Sequence, residues 1–537
     1  MEHIFPVRIV KAEGVVQEEM LLAPKALQIG LKTRELAEFI GRSYVILDFG
    51  RELQGGVRIL TYMRGPQPEV RIRFGESVSE VCAELGYKNA TNDHSLRDMK
   101  VSLCDYSDMT FGCTGFRFVR VDALSSEAHI LINSIVAEAR IDARPEPGTF
   151  ECSDPLLGKI WKTAAYTMRL CLQNGYLWDG IKRDRLVWIG DLYPETRASH
   201  CLFGDTPEVR NSLDFARNET PLPQWMNTFP AYSLWWIMIL HSEYMRGGDM
   251  AYLRENMPYL KGLLLQISDC ITADGDVNYP VNFIDWPTFC NESSSAEAWH
   301  DLKAGMHALT LLALRCAKEL CAAAGEDEAL CANTLARLGK KEYKVNSRKQ
   351  IAAMRVWAGD RTPANEKLLL KGGAEGFSTF MMYELLTAIA AYGRYEEALD
   401  LCKEYYGKML ELGATSFWED FDMNWAKDLC PIDRLPQEGE KDIGDYGAFC
   451  YVGFRHSLCH AWSTGVIPYL SETVLGIRTE NCCKKIYVKP HLSGLTWARG
   501  TYPTPYGVLT VEHTLQADGS VQTHVQAPAG VEVVVEK

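Results

Sequence analysis

No run of Lys or Arg longer than a pair such as Lys484-Lys485 occurs in the 537 residues, and 70 acidic residues outnumber 56 basic ones for a net charge of −14. A nucleic-acid binder needs a basic face for the phosphate backbone, so nucleic acid is not expected as a partner. No uncharged apolar stretch approaches the ~20 residues of a membrane span; Ser233–Leu240 is among the longest, and no membrane partner is expected. The first residues, Met-Glu-His-Ile-Phe-Pro-Val-Arg, carry an early acid and no apolar block. No secretory leader is read there, and a cytoplasmic location is expected. The 17 cysteines are odd in number and spread from Cys82 to Cys483. At about three per cent of the chain they fall well short of a disulfide scaffold. No Cys-x-x-Cys pair occurs, and Cys482-Cys483 has no second pair at zinc spacing, so the cysteines read as reduced thiols. A glycine-rich phosphate loop, His-Glu-x-x-His and Gly-x-Ser-x-Gly are also missing, which removes the common nucleotide, zincin and serine-hydrolase signatures. His456 and His460 are spaced to share a helix face, yet no third ligand accompanies them. Neither metal nor cofactor is expected.

What is present is a packed globular composition, 47% hydrophobic, 23% charged and 10% aromatic, which excludes global disorder. Three textures follow one another. Residues 1–147 hold short β-rich runs between turn residues: Ser43–Gly50, Gly55–Tyr62, Val70-Arg-Ile-Arg-Phe with strict alternation, and Phe116-Arg-Phe-Val-Arg-Val. An N-terminal antiparallel β-sandwich is expected. Residues 148–477 change to a helical period. Asp154-Pro155 offers an N-cap followed by proline at the first helical position, and Leu157, Ile160, Trp161, Ala164, Met168 and Cys171 then fall on one face. Similar stripes recur over 251–270, 303–324, 376–391 and 395–411. There is room for about a dozen helices at roughly 27 residues per helix and loop, which suits a closed toroid of paired helices. Residues 478–537 return to strands, including Lys485–Pro490, Gly507–His513 and Val531–Glu536, and read as a small C-terminal antiparallel β-sandwich.

Chemistry concentrates in four aromatic and acidic segments. Trp178–Glu195 packs Asp179, Asp184 and Asp191 among three bases and two tryptophans within the fourteen residues from Trp178 to Asp191. Gly413-Ala-Thr-Ser-Phe-Trp-Glu419 puts an acid directly after Trp418, Asp285-Trp286 repeats the pairing, and His460-Ala-Trp462 adds a polar residue beside a third tryptophan. Charge runs are usually solvated faces. Four such segments on helix-connecting loops instead suggest a carbohydrate site, where aromatic faces stack on a sugar ring, carboxylates bind its hydroxyls and two further carboxyls do acid–base work. The partner expected is therefore a carbohydrate. The apolar run Ser233-Leu-Trp-Trp-Ile-Met reads either as cleft lining or as a contact between copies of the chain, which leaves a homo-oligomer open.

These motifs carry a resemblance. Asp179-Gly-Ile-Lys-Arg-Asp-Arg-Leu-Val-Trp-Ile-Gly-Asp191 resembles the Asp-Cys-Pro-x-Arg-(x)-Glu and Trp-x-Gly-Asp signature of the bacterial α-L-rhamnosidases, an inverting glycoside hydrolase family. Gly413–Glu419 is similar to its Gly-Ala-Thr-Thr-x-Trp-Glu, Ile284-Asp285-Trp286 to its Gly-Asp-Trp, and Ser457–Trp462 to its Ser-x-x-His-(Ala/Gly)-Trp. The β-rich Asp48-Phe-Gly-Arg-Glu and Gly115–Val121 sit where the family has a sandwich ahead of its barrel. The resemblance implies a central (α/α)6 six-hairpin barrel flanked by the two β-sandwiches. It implies hydrolysis of terminal α-L-rhamnose from plant-derived oligosaccharides or glycosides by an inverting single displacement. It puts the general acid on Asp184 and the general base on Glu419. Substrate contacts fall on Asp179, Arg183, Asp191, Asp285, Trp418 and His460, with stacking or wall residues at Trp188 and Trp286. Two departures stand out: Gly-Ile replaces Cys-Pro, and the acid is Asp where the family has Glu, a side chain shorter by about 1.5 Å of reach. They keep two other readings in view, Glu195 as the acid and the same barrel acting on another terminal sugar. A sugar-binding protein that no longer cleaves is the non-enzymatic reading.

Overall fold

The structure, a computed structural model, describes residues 1–290 and 293–536. The N-terminal domain is organised by one 27-residue strand, Ala37–Met63, where the sequence suggested two. It pairs antiparallel with Ser107–Ala123 along its length and with His129–Ala139 at both of its ends. The seven-stranded sheet therefore wraps back on itself around Phe39, Leu47, Phe116, Val121 and Ile135. Register shifts at Asp48/Leu53 and Gly55/Val57 bend the long strand, as bulges do. Gly55 makes the bend sterically feasible: its φ is 151°, and a Cβ there would stand 2.0 Å from the Glu138 carbonyl oxygen.

The helical region opens as its sequence directs. The Asp154 carboxylate accepts from the Leu156 N–H at 2.9 Å, Pro155 is the first helical residue, and the stripe from Leu157 to Cys171 is buried. Six helices, Leu192–Leu202, Pro230–Gly247, Ala296–Ala324, Lys349–Trp357, Met382–Ala390 and Val466–Tyr469, pack each against the next, and the last against the first. Pro207–Glu219, Met250–Asp269, Ala329–Leu338, Pro363–Leu370, Tyr395–Glu411 and Pro155–Cys171 form the outer layer. The result is a six-hairpin barrel. Ser233–Met238 lies inside it: Trp235 and Trp236 are wholly buried on an inner helix, so this run is barrel core and neither cleft lining nor a face for another copy. No helix among the described residues is long and apolar enough to cross a membrane.

The C-terminal β-sheet domain has two sheets. One joins Ile477–Glu480, Lys485–Val488 and Glu532–Val535, the last pair running parallel rather than antiparallel. The other orders Val521–Gln526, Gly507–Leu515, Trp497–Thr504 and Thr149–Cys152. The fourth of these strands comes from residues grouped by sequence with the helical region; it pairs antiparallel with Ala498–Thr501. All 17 cysteines are free thiols.

The N-terminal domain is joined to the barrel by buried charges. Lys182 Nζ lies 2.8 Å from Glu80 Oε1 and 3.4 Å from Glu76 Oε2, and donates to the His456 carbonyl at 2.7 Å. Arg97 donates to Glu80 Oε1 at 2.7 Å, and Glu76 Oε2 accepts from the Leu458 N–H at 2.6 Å. Burial, opposed by Lys182, pushes the Glu76 carboxyl up to about 7. Removing one member of such a cluster leaves uncompensated buried charge. Glu80→Ala is therefore expected to cost about 3–5 kcal/mol, read as a lower urea midpoint; a loss under ~1 kcal/mol, the range of exposed pairs, would show that the cluster holds nothing together.

Candidate active site

Three of the four motif segments lie side by side. The Glu419 N–H donates to the Ser457 carbonyl at 2.9 Å and the His460 N–H to the Phe417 carbonyl at 3.0 Å, while the Ala461 N–H donates to the Asp179 carbonyl at 2.8 Å. Gly180 forms a β-bridge with His460. A Cβ at Gly180 would stand 3.0 Å from the Cys459 carbonyl oxygen, a tight fit that accounts for glycine beside the histidine strand. Residues 456–460 are extended between short 3₁₀ turns, so His456 and His460 do not share the helix face that their spacing suggested. Only His460 joins the acids; His456 Nε2 instead accepts from the Asp420 N–H at 3.0 Å, behind the site.

Arg183 is the centre of the cluster. Its Nε donates to the Arg455 carbonyl at 2.9 Å, NH1 lies 3.1 Å from Asp184 Oδ1, and NH2 donates to Glu419 Oε1. Glu419 Oε2 accepts from the Ser457 N–H at 3.1 Å. His460 Nε2 stands 3.8 Å from Asp179 Oδ2, 3.9 Å from Asp191 Oδ2 and 3.9 Å from Glu419 Oε1, too far for hydrogen bonds. Its Nδ1 is buried without a partner. Asp179 closes its own loop, accepting from the Leu186 N–H at 2.9 Å, and Asp191 begins the inner helix Leu192–Leu202. Every member is buried except Asp184, whose side chain is 17% exposed.

Four carboxyl groups surround one guanidinium, and the electrostatics follow. Burial pushes Asp179 and Asp191 well above the usual carboxylate range, with the charge of Asp184 adding to the first and that of Asp179 to the second. Burial also raises Glu419, against the pull of Arg183. Burial and the Arg183 charge hold His460 well below an ordinary imidazole. Burial thus favours the neutral forms of these carboxyls and of the imidazole, forms that both donate and accept.

The remaining expected residues divide. Trp188 is half-buried and edge-on to Tyr232, 6.2 Å between centroids, and the Tyr232 hydroxyl lies 3.4 Å from Asp191 Oδ1. Trp286 is half-buried and stacks on Phe449 at 5.6 Å. Asp285 does not meet Arg183 or His460: its carboxylate caps the turn Trp286–Thr288, accepts from the Trp286 N–H at 2.8 Å and from the Ser378 hydroxyl, and is pushed up to about 7 by burial. Trp418 is fully buried against Phe421 and cannot stack on a ligand. Where Phe417–Glu419 runs alongside Ser457–His460, successive side chains face opposite sides, and Glu419 takes the side of the site. Glu195 is buried within the inner helix with Oε1 unpartnered. Tyr232, Phe449, Arg455 and His94, whose Nε2 lies 3.3 Å from Asp184 Oδ1, carried no sequence signal beyond proximity to a motif or a lone aromatic.

Residues 145–346 match the family model of the bacterial alpha-L-rhamnosidase six-hairpin glycosidase domain, and residues 477–536 that of the bacterial alpha-L-rhamnosidase C-terminal domain. Among solved structures, the chain is similar to a rhamnosidase of Bacillus sp. GL1, with a TM-score of 0.76, 20% identity, and coverage of 97% of this chain and 55% of that one. It is similar to the Streptomyces avermitilis alpha-L-rhamnosidase in complex with L-rhamnose (0.68, 16%, 92% and 48%) and to a Klebsiella oxytoca rhamnosidase with rhamnose bound (0.67, 22%, 87% and 95%). The chain thus spans about half the length of the Bacillus and Streptomyces proteins. No curated protein matches it in sequence.

At pH 5.5 an ordinary imidazole, with its pKa near ~6.5, is mostly protonated. His460 and His456, both held well below that range by burial, should stay neutral there in long-range ¹H–¹⁵N spectra. A protonated His460 at that pH would remove the neutral imidazole from the site.

Proposed function

Because residues 145–346 and 477–536 belong to the six-hairpin and C-terminal domain families of the bacterial α-L-rhamnosidases, we propose that the chain is a glycoside hydrolase that releases terminal α-L-rhamnose by a single inverting displacement. Glu419 and His460 fall outside both matched segments, so their roles rest on the motif resemblance, with their place beside Arg183 and Asp179 in support. The observation that carries the reading is Arg183, whose one guanidinium engages both Asp184 and Glu419, carboxyls from loops more than 200 residues apart. Facing oxygens joined through one planar fork lie within about 8 Å of each other. That bound admits both the ~6.5–9.5 Å spacing of inverting enzymes and the ~5–5.5 Å spacing of retaining ones, so inversion is taken from the motif resemblance.

In this reaction Asp184 gives its proton to the glycosidic oxygen as the bond from that oxygen to the anomeric carbon breaks. Glu419 removes a proton from the water whose oxygen attacks the opposite face. Asp179, Asp191 and His460 bind sugar hydroxyls, and Trp188 and Trp286 supply aromatic wall. Asp184 is favoured over Glu195 as the acid because it is partly exposed and next to Arg183, whereas Glu195 is enclosed in the barrel.

Asp184→Asn and Glu419→Gln are each expected to lower turnover of an α-L-rhamnoside by ~10²–10⁴-fold with folding intact. Near-normal turnover by Asp184→Asn together with its loss in Glu195→Gln would move the acid to Glu195. The mechanism itself is tested by early time-course NMR on an aryl α-L-rhamnoside. β-L-rhamnose should be the first product, with the α anomer arising only by mutarotation. The α anomer appearing first would mean retention and a nucleophilic Glu419.

A further inference from the structure

Asp184 sits in a strained place. It and Arg185 both adopt left-handed backbone, φ 53° and 56°, uncommon for residues other than glycine and often found at functional sites. Against it lies a loop of the N-terminal domain, residues 91–97, which is latched from three sides. The Arg185 guanidinium donates to the His94 carbonyl at 2.6 Å, the Ser95 hydroxyl donates to the Lys182 carbonyl at 3.3 Å, and Arg455 Nε donates to Asp93 Oδ2 at 2.9 Å. His94 itself is left-handed, φ 64°. Its Nε2 lies 3.3 Å from Asp184 Oδ1 and 3.7 Å from Asp93 Oδ2. Arg183 NH1 makes its closest approach to Asp184 at the same oxygen, 3.1 Å. Two nitrogen groups thus make their closest approach to Asp184 at Oδ1.

We propose that His94, delivered by the N-terminal domain, is a positioning residue for the acid: with Arg183 it fixes Oδ1 so that Asp184 presents Oδ2 and its proton to the leaving oxygen. The inference rests on the reading of Asp184 as the proton donor. A longer glutamate reaches its target by its own rotamers; an aspartate depends on where the backbone and neighbours put it. As the proton passes from Oδ2 to the glycosidic oxygen and the electron pair of the broken bond stays on that oxygen, Asp184 is left a carboxylate. With Nε2 protonated, His94 then stabilises the charge that has formed beside it on Oδ1.

The test separates acid assistance from structural support by leaving group. Alkyl α-L-rhamnosides need a proton on departure, whereas 2,4-dinitrophenyl α-L-rhamnoside does not. His94→Ala should lower kcat/KM on the alkyl substrate by about 10–100-fold and on the dinitrophenyl substrate by no more than about threefold, a part of the full general-acid effect. His94→Gln, which keeps an N–H donor, should regain most of the loss. An equal fall on both substrates, or no fall on either, overturns the proposal. Glu419→Gln should depress both substrates alike. A wild-type protein that cleaves neither would count against the hydrolase reading and not against the contact, which has its own measure. By NMR, Asp184→Asn should move the ring resonances of His94, whose Nε2 lies 3.3 Å from the altered side chain. Unmoved ring resonances overturn the pairing whatever the activity.

Discussion

The buried Lys182 ammonium is the contact on which the rest of the site depends. It sits one residue before Arg183 and binds two glutamates of the N-terminal domain together with the carbonyl of His456. The next amide after His456 holds the Glu419 carboxylate, and the one after that is held by Glu76. The acid-bearing loop, the base-bearing loop and the β-domain therefore converge on one cation. Buried ions are costly unless every member is paired. The cluster tolerates one arrangement of these three segments, and that arrangement sets where Asp184 and Glu419 stand.

Around that anchor burial works against ionising Asp179, Asp191 and Glu419. Arg183 compensates Glu419 and Asp184 directly, while Asp179 and Asp191 are pushed by burial towards their protonated forms. A neutral polyol, each hydroxyl of which donates once and accepts up to twice, suits carboxyls and an imidazole that burial biases towards their neutral forms.

Much of this was legible in the sequence, and the exceptions have physical reasons. The stripe from Leu157 to Cys171 and the Asp154 cap are local, so periodicity reveals them. The three neighbouring motif segments carry chemistry in residue types alone. Trp418 misled because adjacency to an acid along the chain means the opposite side in an extended segment. Asp285 has a local role that its motif alone does not reveal, capping the turn Trp286–Thr288. The Ala37–Met63 strand read as two because Arg51–Gln54 interrupts its apolar runs, whereas here the strand bends across that gap and Gly55 and Gly56 let it pass close to Glu138 and Gly112. His94 meets Asp184 across some ninety residues of sequence, and no spacing rule reaches that far.

The strand Thr149–Cys152 ties the chain in a way that domain names conceal. It enters the first outer helix directly, and it is also an edge strand of a sheet whose other members lie beyond residue 496. The helical ring is thereby clasped, its opening segment and the strands that follow its closing helix held by one ladder of backbone hydrogen bonds. A polypeptide cut between ring and C-terminal sheet would leave one piece with a stray strand and the other with an uncovered edge, the kind of edge that recruits foreign strands. Ring and C-terminal sheet are thus one mechanical unit, which neither a shuffled gene fragment nor a protease nick would divide cleanly.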